Sequence, residues 1–348
     1  MDGADRPDQH PHARLSRMTT VTTRVAEDPA RISDHRWPRF ILRRTGRLLV
    51  SLWALITASF LMIHLVPGDP VRSALGPSAS AELVESRRAS LGLNDPIWEQ
   101  YLHYIQGVLT GDLGTSIGSQ LPVAQTIAQR LPATAALAGL AFIVAILIAI
   151  PIGVAVAIAT QRGRARGLEL GFSSTSVLLG SIPDFLLGVT LVAVFGVQLG
   201  WLPVAGRDGA LSYILPVLAL ALGPAAVLAR IVRIEVLAVL ETDFVRTAHS
   251  KRLRTRRINL RHVLPNAITA TLTLGGLILS SLVAGTVLVE TVFAWPGLGS
   301  TIVSSIQTKD YPLVQGTVLV YGLGVLLVNT MVDAALAVLN PQSTVAEG

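Results

Sequence analysis

Few residues of this 348-residue chain have a type and spacing that could do chemistry. The string Gly114-Thr115-Ser116-Ile117-Gly118 matches the G-x-S-x-G pattern of serine hydrolases, in which the serine is the nucleophile. That chemistry needs a strand before the serine, a helix after it and a base within reach, and the surrounding sequence indicates none of these. A membrane-bound hydrolase is therefore disfavoured.

Phosphate and metal chemistry have even less support in the sequence. Lys251 and Lys309 are the only lysines and neither follows a glycine, so the chain lacks the G-x-x-x-x-G-K-[ST] loop that binds nucleotide phosphates. His64 and His103 have no sequence-spaced partner for a metal ion, and the absence of cysteine excludes thiolate ligands and cysteine nucleophiles. We therefore expect no catalytic residue, no metal site and no cofactor bound by this chain.

Two acidic residues lie inside apolar stretches long enough to cross a membrane. An acid in such a helix is costly and is usually paired or faces a wet cavity. Asp184, with Ser181 and Pro183 beside it, is the candidate for a pathway through the protein; the alternatives are an inter-helix hydrogen bond or a protonated acid. Asp333 lies nearer the end predicted to be cytoplasmic, and we expect it to pair with an arginine there.

Apolar helices must position these acids. The chain is 51% hydrophobic and only 14% charged, with a mean hydropathy of +0.57, whereas soluble domains carry about 25% charged residues. Six stretches approach or exceed the roughly 20 helical residues that span a bilayer core: 48–66, 133–158, 173–199, 211–229, 267–289 and 316–339. Because a lone strand in lipid leaves its backbone groups unpaired, the sequence predicts an all-α integral membrane protein with six transmembrane helices.

The distribution of Lys and Arg predicts the orientation. Of the 28 basic residues, 22 lie in residues 1–47, 159–172 and 230–266, and only 6 lie in the three loops on the other side. Basic loops stay on the cytoplasmic side, so both termini are predicted to be cytoplasmic. The same rule and anionic lipid account for the net charge of +6 and for the arginine-rich stretch 252–261, so no nucleic-acid partner is expected.

The remaining segments divide the chain. Residues 1–47 are predicted to be a cytoplasmic, largely disordered extension, and residues 48–66 a first span that is retained rather than cleaved. Residues 67–132 form an outer loop in which Asp95 and Pro96 are expected to start an amphipathic helix, lying on the membrane face or packed on the bundle. Residues 133–339 form a five-helix core, and residues 340–348 a cytoplasmic tail.

The cytoplasmic segment 230–266 is the most informative part of the chain. Its 37 residues combine 9 basic and 3 acidic side chains with apolar residues such as Leu240, Phe244 and Val245. That mixture is too apolar for a free linker and predicts short amphipathic helices that present a docking face to another protein. Leu264-Pro265 then restarts the chain as the fifth span.

Within this segment, residues 243–267 read DFVRTAHSKRLRTRRINLRHVLPNA and resemble the EAA loop of the inner-membrane permeases of ABC importers, with Arg246-Thr247-Ala248 in the place of Glu-Ala-Ala. Six further motifs are similar to the peptide and nickel permease family, in particular to the first permease subunit of dipeptide and oligopeptide systems. They are LVPGDP (65–70), GDLGTS (111–116), RLPAT (130–134), GWLPVAG (200–206), VFAWPGLG (292–299) and DYPLVQG (310–316). The resemblance runs from about residue 40 to the C-terminus.

The sequence departs from the family pattern at three places. Arg252 stands where a glycine usually follows the EAA alanines. The ending Asn340-Pro341-Gln342 replaces a sequence resembling Asp-Pro-Arg, and Leu336 replaces an aromatic residue that often precedes it.

The resemblance implies a type I importer permease with the MetI-like fold, in the cytoplasmic membrane of a prokaryote. It implies as partners a second homologous permease, two cytoplasmic ATPase subunits that hold ATP and Mg²⁺, an extracytoplasmic solute-binding protein and the lipid bilayer. The loop residues that would couple to the ATPase are Asp243, Phe244, Arg246, Thr247, Ala248, Lys251, Arg252 and Leu253.

The substrate class implied is short peptides, and nickel or another small solute is the alternative within the family. An ion-coupled secondary transporter is the rival from another class, followed by a channel. The EAA-like loop and the lack of paired intramembrane charges disfavour ion coupling.

Overall fold

A computed structural model describes residues 36–65, 70–76, 78–90 and 92–339. Within these ranges the chain is helical, with one isolated bridge between Thr115 and Pro122 and no strand. The helices are α1 (Arg36–Leu65), α2 (Pro70–Leu75), α3 (Ala81–Ser90), α4 (Ile97–Thr110), α5 (Val123–Thr160), α6 (Arg166–Ser181), α7 (Asp184–Leu191), α8 (Ile214–Leu240), α9 (Asp243–Ser250), α10 (Thr255–Ile258), α11 (Leu264–Val292), α12 (Leu298–Thr308) and α13 (Tyr311–Leu339). The prediction of an all-α fold is confirmed for the part of the chain described.

Four of these helices are long and apolar enough to cross a membrane: Leu42–Met62 of α1, α5, α8 and α13. The pair α6 and α7, with its continuation to Gln198, counts as a fifth span if the two are taken together. α11 occupies the fifth predicted stretch, 267–289, and its segment Ile278–Val292 is apolar. The number of six membrane crossings stays a prediction.

The third predicted span, residues 173–199, is not one straight helix. α6 and α7 meet at an angle of 99°. Ile182 is extended, as expected for a residue that precedes a proline, and Pro183 starts α7. Residues Val192–Gln198 then continue α7 as a π-helix. The break places Asp184 in the first turn of a helix rather than in the middle of one.

The bundle packs around α8. Its small and branched residues interlock with α5 and α11 in a core that contains Leu137, Leu220 and Leu282 and is closed at one end by Phe293 and Trp295. Gly153 of α5 permits the close approach to α8, because a Cβ there would lie 2.6 Å from both the carbonyl oxygen of Ala229 and the Cβ of Val232. Small residues at helix contacts are the usual means of close packing in membranes.

The chain is already helical before the first predicted span. α1 begins at Arg36, so residues 36–47 of the extension predicted to be largely disordered are helical. Residues 1–35, most of the LVPGDP motif and Asn340-Pro341-Gln342 lie outside the described residues, as does the side chain of Leu336. The outer-loop helix is present as α4, but its cap is Pro96, with no side-chain capping bond from Asp95.

Candidate functional site

The segment 230–266 contains less loop than predicted. α8 continues through residue 240, so the first 11 residues of the segment are the end of a long helix. α9 follows after a two-residue turn, α10 after a second bend, and the π-helix Asn259–Val263 leads without a break into α11. The segment therefore consists mainly of short, packed helices at one end of the bundle.

α9 is amphipathic, and its inner face is anchored on the bundle. Val245 is 1% exposed and Ala248 is 8% exposed. They pack in a cluster with Ala157 of α5, Val232 and Val236 of α8, and residues of α10 and α11. A displacement of α9 would therefore strain its contacts with α5, α8 and α11, because close-packed interiors transmit strain.

The outer face of α9 carries most of the residues predicted to couple to an ATPase. Phe244 is 45% exposed, and Asp243, Arg246, Thr247, Lys251 and Arg252 are also exposed. Asp243 and Arg246 form an exposed ion pair of 3.3 Å, and the Thr247 hydroxyl donates to the Asp243 carbonyl. The other two predicted residues differ: Ala248 and Leu253 pack inward, against the chain's own core.

Arg252 forms the bend at the place where the family has glycine. Its φ is +56°, in the left-handed region that non-glycine residues enter at a cost of roughly 1–2 kcal/mol. The bend is closed by backbone bonds from the Arg252 N–H to the His249 carbonyl and from the Leu253 N–H to the Ala248 carbonyl. The arginine substitution therefore keeps the turn that the glycine pattern predicts, with local strain.

The predicted pathway residues cluster at the break between α6 and α7. Ser181 is exposed and donates to the Val177 carbonyl at 2.8 Å. It ends an open groove along α6 whose lining includes Ser173, Ser174 and Leu178. Ser181 is the last residue of α6 and Pro183 is the N-cap of α7, so both lie at the break between the two helices.

The Asp184 carboxylate lies where three helices converge. A Cβ built on Gly285 of α11 would lie 3.0 Å from one of its oxygens, and a Cβ on Gly223 of α8 would lie 3.6 Å from the other. Among the residues that the structure describes, this carboxylate makes no hydrogen bond and no ion pair. The inter-helix hydrogen bond weighed as an alternative is therefore absent from the described part of the chain.

Asp333 pairs with an arginine, as predicted. Its carboxylate forms a salt bridge with Arg44, which joins the first and last long helices, α1 and α13. Both side chains are partly buried. A structural ion pair therefore accounts for this acid.

Glu290 is a third acid within a long apolar helix, and no role for it was predicted from the sequence. It is fully buried at the end of α11, where it accepts a hydrogen bond of 2.6 Å from the Thr134 hydroxyl and one of 3.0 Å from the Ser300 N–H. Thr134 in turn accepts from the Leu298 N–H at 2.8 Å. The RLPAT and VFAWPGLG motifs therefore meet at one carboxylate, through bonds between residues 156 and 164 positions apart in the chain.

The remaining motifs pair at the same end of the bundle. Asp310, at the start of DYPLVQG, accepts from the Ser116 hydroxyl at 2.5 Å and from two backbone N–H groups of the Gly114–Gly118 string. Gly206, which ends GWLPVAG, donates its N–H to the Phe293 carbonyl at 2.9 Å. Ser116 is thus a structural hydroxyl whose partner is an aspartate, which agrees with the rejection of a nucleophile.

A local sequence pattern marks both of these acids. Glu290 and Asp310 each stand directly beside a stretch rich in glycine, proline and aromatic residues at a membrane-span boundary. Buried acids in such turns are good acceptors for backbone N–H groups. Within the described residues, no group of three His, Asp or Glu side chains is arranged to hold a metal ion.

The chain matches known protein families and individual proteins over most of its length. Residues 149–345 match the family described as binding-protein-dependent transport system inner membrane component, and residues 38–138 match the N-terminal family of the same components. The chain is 38% identical over 303 residues to the glutathione transport system permease protein GsiC of Escherichia coli, covering 87% of this chain and 97% of that protein. GsiC of Pectobacterium atrosepticum is 39% identical over the same shares.

The fold has solved counterparts. Two crystal forms of the inward-facing MetNI methionine ABC transporter contain a chain that aligns with TM-scores of 0.51 and 0.52. Each alignment covers 62% of this chain and 97% of the other, at 18% identity. At that identity the likeness concerns the fold, and it confirms the MetI-like fold expected from the sequence.

Proposed function

The chain belongs to the family of inner-membrane components of binding-protein-dependent transport systems, the non-catalytic permease subunits of ABC importers. On that premise, we propose that it forms one half of a pathway for short peptides. It works with a second, homologous permease, two cytoplasmic ATPase subunits and an extracytoplasmic solute-binding protein. Both termini lie in the cytoplasm of a prokaryotic cell, in accordance with the distribution of basic residues.

The two-faced architecture of α9 carries this proposal. One face is buried against α5, α8 and α11, while the other holds Phe244, Arg246 and Thr247 outside the bundle. An exposed aromatic residue beside charged groups is typical of a protein contact. A subunit that grips the outer face and changes shape on ATP hydrolysis would move the inner face, and with it the three helices.

The substrate class is supported by the relatives and by Asp184. Glutathione, the substrate named for GsiC, is itself a short peptide. The carboxylate of Asp184, which has no partner among the described residues, lies beside Ser181 at the helix break, where it can accept hydrogen bonds from the ammonium group of a peptide. A nickel chelate or another small solute is the alternative within the family.

The docking role is tested with a matched pair of charge reversals. Arg246→Glu changes the outer face of α9, whereas Arg164→Glu makes the same change on the exposed turn after α5, at the same end of the bundle. We expect Arg246→Glu to lose co-purification of the ATPase subunits and ATP-driven uptake, and Arg164→Glu to retain both. Thr247→Asp should behave like Arg246→Glu. Ala248→Glu is a poor test, because this side chain is buried and the variant would disturb the core.

The experiment uses the complete complex in lipid vesicles that contain the solute-binding protein. Uptake of labelled di- and tripeptides should require ATP and continue when ionophores collapse the ion gradients. Full uptake by Arg246→Glu would count against the α9 dock. Uptake that persists without ATP and stops with the gradient would overturn the ABC mechanism itself.

A further inference from the structure

The outer-loop helix α4 has a wider apolar arc than the protein covers. At about 100° per residue, Tyr101, Tyr104, Ile105, Val108, Trp98, Leu109 and Leu102 share one side of the helix, and Glu99, His103, Gln106 and Thr110 share the other. Trp98 is 62% exposed, Leu102 57% and Leu109 79%. α4 has no fully buried residue, although nearly half of its circumference is apolar.

The covered part of the arc is in contact with α1. Tyr101 and Tyr104 stack on Phe60 with ring centroids 5.1 and 5.8 Å apart. The Tyr101 hydroxyl lies 2.7 Å from the Thr57 hydroxyl, which completes a polar contact beside the ring pair. These contacts fix the position of α4 along α1.

That position places α4 at the level of the membrane boundary. Thr57 and Phe60 lie inside the apolar stretch Leu42–Met62, five and two residues from its end. At 1.5 Å per residue, α4 is therefore held within about 8 Å of the end of the span. Interfacial amphipathic helices bury their apolar faces about 5–10 Å deep at the boundary of headgroups and acyl chains.

The chemistry of the uncovered face matches that depth. Trp98, Leu102 and Leu109 carry no charge, and tryptophan is enriched at membrane interfaces. The charged Glu99 and the polar Gln106 point to the other side. Trp53 and Leu61, four residues before and after Thr57 on the same face of α1, are also exposed and apolar.

From this geometry we infer that α4 is a membrane-interface helix, whose Trp98–Leu102–Leu109 face is covered by lipid acyl chains rather than by a protein subunit. α4 fixes the outer end of α1 in the bilayer, and its polar side faces water. This role of α4 requires only that α1 crosses the membrane. It does not depend on the substrate or on the ATPase contact.

The absence of cysteine makes the test direct. Leu102→Cys and its matched control His103→Cys lie about 100° apart around the helix, the first on the apolar arc and the second on the polar arc, and both positions are exposed. Each variant carries a nitroxide and is assembled with cysteine-free partner subunits in nanodiscs of phosphatidylcholine and phosphatidylglycerol. Collision rates are then measured with oxygen, which concentrates in lipid, and with a water-soluble nickel chelate.

We expect the label at 102 to collide severalfold more with oxygen than with the chelate, and the label at 103 to show the reverse preference. Leu109→Cys should repeat the result for 102, which covers the case in which Leu102→Cys does not assemble. A label at 102 and 109 that is reached mainly by the chelate would show a water-exposed face. A label shielded from both reagents in the complex would show a face covered by protein. Either result overturns the inference.

Discussion

The hydroxyl of Thr134 and the carboxylate of Glu290 are joined by a hydrogen bond of 2.6 Å, although 156 residues separate them in the chain. The bond ties the start of the α5 core segment to the end of α11. The same carboxylate also holds the first turn of α12 through the Ser300 N–H. A buried acid therefore joins α5, α11 and the start of α12 at one end of the bundle.

Removal of this acceptor should destabilise the protein. In Glu290→Ala, the Thr134 hydroxyl and the Ser300 N–H lose their buried partner, and we expect a loss of about 3 kcal/mol. The thermal unfolding of the purified complex in detergent measures the effect. Glu290→Gln, which keeps the shape and one acceptor, should cost less. Glu241→Ala at the exposed end of α8 is the control, and an equal effect of both alanine variants would contradict the role of Glu290.

Asp310 should control the order of the loop that contains Ser116. Asp310→Asn replaces a charged acceptor that receives the Ser116 hydroxyl and two N–H groups. Charged hydrogen bonds contribute about 1.5–3 kcal/mol each, so the loop should open more often. Faster hydrogen–deuterium exchange at residues 114–122 is expected. Asp112→Asn, which affects only an exposed bond to the Gly114 N–H, should leave most of that exchange unchanged.

Arg252→Gly should stabilise the bend between α9 and α10. Glycine removes the cost of the left-handed conformation but adds entropy to the unfolded chain, which leaves a gain of about 0.5–1 kcal/mol. Arg254→Gly is the control, because Arg254 has an ordinary φ of −62° and should lose stability on the same substitution. Equal changes in unfolding temperature for the two variants would show that the conformation of Arg252 has no energetic consequence.

Arg44 and Asp333 should be coupled energetically. Each single alanine variant leaves the other charge unpaired in a partly buried position, whereas the double variant does not. A double-mutant cycle on unfolding should give a coupling energy of about 1–3 kcal/mol. The exposed neighbour Arg47 is the control, and its cycle with Asp333 should be close to zero. A zero result for Arg44 would mean that the pair does not hold α1 to α13.

Asp184→Asn should change uptake without changing assembly. If the carboxylate receives the substrate ammonium group, peptides with a free N-terminus should be taken up more slowly by the variant, while N-acetylated peptides should be little affected. Thr190→Ala, on the exposed side of the same helix, should transport both at the normal rate. Unchanged uptake of free peptides with normal expression would return Asp184 to a structural role.

Much of the fold followed from local pattern. Helical stretches lie where the apolar runs are, because a bilayer leaves few other ways to satisfy the backbone. The pairing of Asp333 with an arginine was also predictable, since a charge near a span end needs a partner that the basic loops supply. The 99° break at Pro183 could not be predicted from the presence of a proline alone. Another proline, Pro224, lies inside α8, and that helix continues past it.

What the sequence by itself determined is the membrane class, the all-α fold, the family and the location of the segment proposed to couple to an ATPase, because hydropathy, charge asymmetry and short motifs are local properties of the chain. Only the tertiary structure decided which side of α9 faces outward, that Ala248 and Leu253 turn to the core, that Arg252 keeps the glycine bend, and that Glu290 and Asp310 join distant motifs. These features depend on contacts between residues far apart in sequence, and one chain's local pattern carries no record of which surfaces will meet.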